Sequence, residues 1–111
     1  MSITVMSYNV QHCRNYISGE INYDAVAATI QKYNADIIGL NEVRDEGPME
    51  GYDAQARLLA ERLGYHYYFA KAIDVAGENP YGNAILSRFP IVSAQTIPVP
   101  DPVTHAVPGG P

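Results

Sequence analysis

Hydrophobic positions fall first in short runs and then at helical spacing. Residues 2–10 alternate, with Ile3, Val5, Ser7 and Asn9 on one side and Thr4, Met6, Tyr8 and Val10 on the other. This predicts a strand with Asn9 at its carboxyl end. Residues 11–20 are polar, contain Gly19, show no period and read as a loop. Asn22 can cap a helix over 23–33, where Tyr23, Val26, Ala27, Ile30 and Tyr33 make one apolar stripe. The stretch 36–44, DIIGLNEVR, then sets Ile37, Ile38, Gly39 and Leu40 in a row. It is too short for a helix and has the pattern of a parallel strand covered on both faces. Strand, helix and strand make a crossover unit, which is nearly always right-handed and leaves its two strands parallel.

The second half is patterned differently. Residues 44–51 carry two glycines, a proline and three acids and read as an exposed loop. A helix is predicted over 53–63 from Ala54, Leu58, Leu59 and Leu63, with Gly64 as its stop. Residues 65–70, 82–87 and 91–99 read as strands, with turns at 76–80 and 88–90, so this half resembles an antiparallel meander. The prolines and glycines of 98–111 mark a tail or linker. The domain is therefore expected over 1–99 and the tail over 100–111. Its class is α/β, with a mixed sheet and two flanking helices.

Composition narrows the function classes. A chain of 111 residues supports one modest core. No apolar run approaches the roughly 18 residues of a membrane span, and the first ten residues run into a strand pattern and not a signal peptide. The single cysteine, Cys13, has no internal partner, which with the above predicts a cytoplasmic setting. The formal net charge is -5 and the seven Lys and Arg are scattered. A protein that grips nucleic acid through many phosphates needs clustered cations, and none gather here, so a substrate carrying phosphate would draw its positive charge from a metal ion.

The candidate chemistry lies at two strand tips. Parallel neighbours in a crossover unit end on the same sheet edge, about 4.8 Å apart, and open α/β sheets bind ligands there. Asn9 and Glu42 are predicted to share that crevice. The parity reading puts Ile38, Leu40 and Glu42 on the same face as Ile3, Val5, Ser7 and Asn9. A carboxamide and a carboxylate converging in this way suit a hard divalent cation with its waters.

Three segments, SYNVQH at 7–12, IGLNEV at 38–43 and YGNAILSRFPI at 81–91, stand in this order and spacing. Together they resemble the N-terminal half of the endonuclease/exonuclease/phosphatase superfamily, the deoxyribonuclease-like metal-dependent phosphoesterases. The resemblance implies half of a four-layer α/β sandwich, with one or two Mg²⁺ or Mn²⁺ ions at one sheet edge. It implies that Glu42 is a metal ligand and that Asn9 helps arrange the metal and the scissile phosphate, which makes these two residues the expected catalytic and metal site. Gln11 falls where some members carry an acidic contact to a second metal. The strand within 81–91 matches a structural element with no catalytic role. The family's Asp-x-Asn and Ser-Asp-His motifs have no counterpart here, and His105 has no Ser-Asp before it.

Two readings follow: a divalent-metal-dependent phosphoesterase, to which this chain gives one metal-ligand Glu, acting on a phosphodiester or phosphomonoester that the acidic balance makes a small molecule in preference to duplex DNA; or an inactive fragment that only folds or self-associates. The second rests on Ile3, Val5, Ile38 and Leu40, whose face would normally pack on a second sheet. Leaving them in water forgoes about 1.5–3 kcal/mol each and predicts self-association. Among other residues, His12 is expected to be solvated, His66 to serve packing, Arg44 to pair with Asp45 or Glu46 or to reach a substrate phosphate, and Cys13 not to act as a nucleophile.

Overall fold

The helices form where capping and apolar spacing predict them. In the computed structural model, which describes residues 2–15 and 18–97, the first helix, α1, spans Tyr23–Tyr33. The Asn22 side chain accepts the Ala25 N–H at 2.9 Å, satisfying one free donor of the first turn. Asn34 closes the helix in the left-handed region, with φ 51°. The second helix, α2 (Gln55–Leu63), begins two residues later than the pattern implies and ends on Gly64 at φ 73°. Among the described residues, no helix is long and apolar enough to cross a membrane.

Four strands, β1 (Val5–Asn9), β2 (Ile37–Arg44), β3 (His66–Val75) and β4 (Asn79–Ser87), form one mixed sheet in the order β1-β2-β4-β3. The crossover is as predicted: β1 and β2 are parallel, with α1 between them in sequence. β4 enters antiparallel between β2 and β3. Both of its edges are thereby used, and no third strand can extend a meander from it. The strand expected over 91–99 is absent from its described part, 91–97, which has no regular structure. This segment instead runs past the sheet, where the Tyr68 and Thr96 hydroxyls meet at 2.6 Å. The expected tail over 100–111 lies outside the described residues.

The parity reading is off by one. Met6 stands beside Ile38 and Tyr8 beside Leu40, while Val5, Ser7 and Asn9 stand beside Ile37, Gly39 and Asn41. Alternation gives each strand two faces but does not say which face of one strand joins which face of the next. That choice is fixed outside the strands. The Asp36 carboxylate accepts the Thr4 N–H at 2.8 Å, and Thr4 O accepts the Asp36 and Ile37 N–H groups. The Thr4 N–H, then Arg88 at 2.7 Å, hold the Asp36 carboxyl below the usual carboxylate range. Consequently Ile38 and Leu40 are not on the uncovered face as expected. They are fully buried beneath α1 and α2 with Val26, Ala27, Ile30, Leu59 and Leu86. The uncovered face carries Val5, which is 70% exposed, and Ile85, with Ile3 exposed just before β1. His66, expected to pack, is exposed at the start of β3.

One irregularity shapes the end of β2. Leu40 pairs with Ala84 but Val43 with Gly82, so β2 takes one residue more than β4 over the same span. This is a β-bulge, and Glu42 sits in it with φ 60°. The extra residue returns Val43 to the helix-covered core and turns Glu42 away from it. β3 has its own shift opposite the same place, between Lys71 and Ile73. Gly82 lies between the two irregularities, and a Cβ there would stand 2.2 Å from Ala70 O. Because that neighbour is backbone, Gly82→Ala is expected to destabilise the fold by about 1–3 kcal/mol or more. Urea denaturation of the two proteins measures it, and an unchanged midpoint would show that the bulges do not need the glycine.

Candidate active site

Glu42 and Asn9 meet at the carboxyl edge of the β1–β2 pair, as the crossover predicts, although the route is a bulge and not shared parity. Asn9 Nδ2 donates to Glu42 Oε2 at 2.5 Å. Asn9 Oδ1 in turn accepts the Gln11 N–H at 3.1 Å, so the amide is oriented from both ends. The other carboxylate oxygen, Oε1, accepts the Tyr81 hydroxyl at 3.3 Å. Tyr81 starts the part of β4 facing Arg44, in the strand to which the sequence assigned no catalytic role. The signal available was its place at the head of the YGNAILS segment, across from the end of DIIGLNEVR.

The segment after β1 is unusual. Gln11, His12 and Cys13 all have positive φ, at 49°, 45° and 60°. Left-handed backbone costs non-glycine residues about 1–2 kcal/mol each, and such strain gathers where a structure over-determines it. The restraints here are specific. Cys13 N–H and Arg14 N–H donate back to Val10 O and Gln11 O at 2.9 and 3.1 Å, and Cys13 is buried. Gln55, wholly buried at the head of α2, donates from Nε2 to His12 O at 2.9 Å and accepts the Arg44 N–H at 2.9 Å on Oε1. One side chain thus ties the turn after β1 to the end of β2. Sequence reasoning missed Gln55, since a lone Gln on a helix has no pattern that marks it as buried.

This turn delivers His12, expected to be solvated, into the site. Its Nδ1 lies 3.1 Å from the Tyr81 hydroxyl. Burial, then Arg44 and Arg14, lower the His12 pKa against the opposing pull of Glu42. Burial, then the Glu42 charge, pushes the Tyr81 hydroxyl up to about 12, so it remains a proton donor. Arg44 shows no ion pair with Asp45 or Glu46: its Nη1 donates to Gly51 O at 3.1 Å and its guanidinium stacks 4.4 Å from the Tyr52 ring. Its Nε is buried with no hydrogen-bond partner among the described residues. Burial raises the Cys13 thiol to about 12, which leaves too little thiolate for a nucleophile near neutral pH.

The donor set suits a hard cation held sparingly. Among the described residues no three His, Cys, Asp or Glu side chains gather as a metal site. Glu42 offers two anionic oxygens, and each is held by a neutral donor that leaves lone pairs free. Magnesium is commonly held by one or two carboxylates, retaining waters and taking substrate phosphate as a further ligand, and Glu42 fits that use.

A family model for the endonuclease/exonuclease/phosphatase family matches residues 6–111. The chain belongs to that family. Its members are phosphoesterases that generally depend on a divalent metal. Among solved structures, the fold is similar to an endonuclease/exonuclease/phosphatase from Beutenbergia cavernae DSM 12333, with 28% identity and a TM-score of 0.74 over 83% of this chain and 27% of that one. It is also similar to a family protein from Leptotrichia buccalis C-1013-b, at 21% identity and a TM-score of 0.62 over 83% of this chain and 39% of that one. A mannosyl-6-phosphatase from Bacteroides thetaiotaomicron VPI-5482 matches at 26% identity and a TM-score of 0.54, over 78% of this chain and 32% of that one. The chain thus spans between about a quarter and two fifths of the length of these relatives. A comparison with curated proteins finds no match. The mixed sheet with two helices is the N-terminal part of this deoxyribonuclease-like fold.

The geometry makes Gln55 the joint of the site. Replacing it with Leu keeps the volume but strands His12 O and Arg44 N, each costing about 1–3 kcal/mol when buried without a partner. The expected result is a lower urea midpoint for Gln55→Leu, with loss of amide-exchange protection at Arg44. Unchanged protection there would show that water replaces the side chain.

Proposed function

We propose that the protein takes part in divalent-metal-dependent hydrolysis of a small phosphate ester, at a site where Glu42 is the metal ligand and Asn9 arranges the metal and the scissile phosphate. The observation that carries this reading is the Glu42 carboxylate, turned out by a bulge to the carboxyl edge of a parallel strand pair and gripped there by Asn9. Mg²⁺ or Mn²⁺ bound at Glu42 would supply charge stabilisation for the phosphoryl group. The residues of this chain act around it. Asn9 and Tyr81 fix the two carboxylate oxygens, and so fix the direction in which the free lone pairs face. The turn at 11–13 closes one side of the crevice, and Gln55 holds that turn against β2.

Charge bears on the substrate class. With twelve acids against seven Lys and Arg, the chain lacks the cation excess that duplex DNA binding relies on. The similarity to a mannosyl-6-phosphatase agrees with a sugar phosphate as one candidate. Hydrolysis of an aryl phosphodiester and of a sugar phosphate, with Mg²⁺ or Mn²⁺, tests the reading. Glu42→Gln is expected to abolish turnover, and Asn9→Ala to lower it by about 10–100-fold, as loss of a group that orients a ligand does. Turnover that survives Glu42→Gln would remove this carboxylate from the chemistry.

The second reading, self-association of a catalytically inactive chain, has its own support in the uncovered sheet face. Ile3, Val5 and Ile85 lie exposed on that side, and between the sheet at Tyr68, Asn83 and Ile85 and the chain at Ile91 and Ser93 a hollow remains open. A second copy covering this face would return apolar surface from water at about 25 cal/mol per Å². Light scattering is expected to show dimers or larger species that dissociate when Val5 and Ile85 become Asp. A monodisperse monomer at high concentration contradicts this reading.

A further inference from the structure

Proton bookkeeping around Tyr81 determines more than its contact with Glu42. The Tyr81 hydroxyl has one proton, and the Glu42 carboxylate, which has none to give, takes it on Oε1. The same hydroxyl oxygen lies 3.1 Å from His12 Nδ1, a contact whose direction depends on where the hydroxyl proton goes: given to Glu42, it leaves the oxygen to accept from Nδ1. In that arrangement Nδ1 carries the imidazole proton, and in the neutral ring Nε2 is left with a lone pair. No hydrogen bond involves Nε2 among the described residues, and it is not among the polar atoms sealed from water. The ring is held firmly: its main chain sits in the left-handed turn, its carbonyl is bound by buried Gln55, and it packs 5.8 Å from the Tyr81 ring. A lone pair fixed in this way repels phosphate oxygens, which are acceptors too, and attracts a hydroxyl donor.

Building on the phosphoesterase reading, we propose that Tyr81 is a positioning residue that locks His12 in its Nδ1-protonated tautomer. The free Nε2 then accepts a hydrogen bond from a hydroxyl on the alcohol portion of the substrate. The substrate class this selects is a phosphate ester of a polyol or sugar. In this scheme His12 recognises the leaving alcohol and does not grip the phosphate as a cation. Glu42, Tyr81 and His12 form one oriented chain, carboxylate to hydroxyl to imidazole, so the same contacts that aim the metal ligand also aim the acceptor.

Long-range ¹H–¹⁵N NMR of the intact protein, with the His12 signals assigned by loss in His12→Gln, reads the tautomer directly. The expected wild-type result is a protonated Nδ1 and an unprotonated Nε2, the form free histidine disfavours. Tyr81→Phe should return the ring to the Nε2-protonated form or to averaging. A wild-type ring that is Nε2-protonated, averaged or doubly protonated overturns the proposal without any variant. The substrate half is tested by titrating mannose 6-phosphate or inorganic phosphate, with Mg²⁺ in both arms. Nε2 should move upfield, as an acceptor does, with the sugar phosphate alone. No movement, equal movement with both, or conversion to imidazolium by phosphate overturns the acceptor role. Failure of the broader reading looks different: no hydrolysis of any ester, including an aryl phosphate without hydroxyls, while the tautomer still answers for the Tyr81 relay.

Discussion

The bulge at Glu42 is the constraint on which the site depends. A regular strand would keep Glu42 on the face of Leu40, under the helices, where an unpaired carboxylate is prohibitively costly. One extra residue in β2 places Val43 in that buried slot and frees Glu42 to meet Asn9 and Tyr81. The left-handed backbone at Glu42 costs about 1–2 kcal/mol, and two hydrogen bonds to a charged group are of the size needed to offset it. Gly82 is the partner of this device: it pairs with Val43 just past the bulge, and the β3 backbone at Ala70 and Ala72 leaves no room for a side chain there. The metal-ligand candidate and a distant-looking glycine are therefore parts of one backbone arrangement.

Gln55 supplies the second restraint. A turn of three left-handed residues would relax if it were held only by its own short hydrogen bonds. It is anchored instead to a wholly buried amide that also accepts from Arg44 at the end of β2. The two walls of the crevice thus share one support, and α2 joins the site through that amide. The parallel pair is pinned at its other end by Asp36, Thr4 and Arg88, so register is set away from the chemistry and transmitted along the strands to it.

Much of this was legible in the residues. Apolar spacing, Asn22 and Gly64 placed both helices, and the crossover logic brought Asn9 and Glu42 to one edge. The parity of β1 against β2 was not legible, because side-chain alternation is silent about register between strands and the deciding contact runs from Thr4 to Asp36, thirty-two residues apart. The strand expected after β4 failed for a topological reason: β4 pairs on both edges, which local propensity cannot foresee. His12 and Tyr81 were undervalued because their meaning lies in each other, across sixty-nine residues of sequence. Period and composition report what a segment is, while a site depends on what distant segments share.

The company Glu42 keeps also bears on what it can bind. Had its carboxylate been paired with Arg44, the charges would cancel and little attraction for a cation would remain. The fold avoids that by holding Arg44 over Tyr52 and against Gly51 O, while two neutral groups, the Asn9 amide and the Tyr81 hydroxyl, orient the carboxylate without neutralising it. Orientation and charge are thus separated: the donors give direction, and the full negative charge remains for a cation. A single such charge binds a divalent ion incompletely, which leaves coordination positions for water and for a phosphate oxygen. Under the proposed phosphoesterase reading those open positions are where the substrate belongs, so a sparse acidic set is what that reading requires.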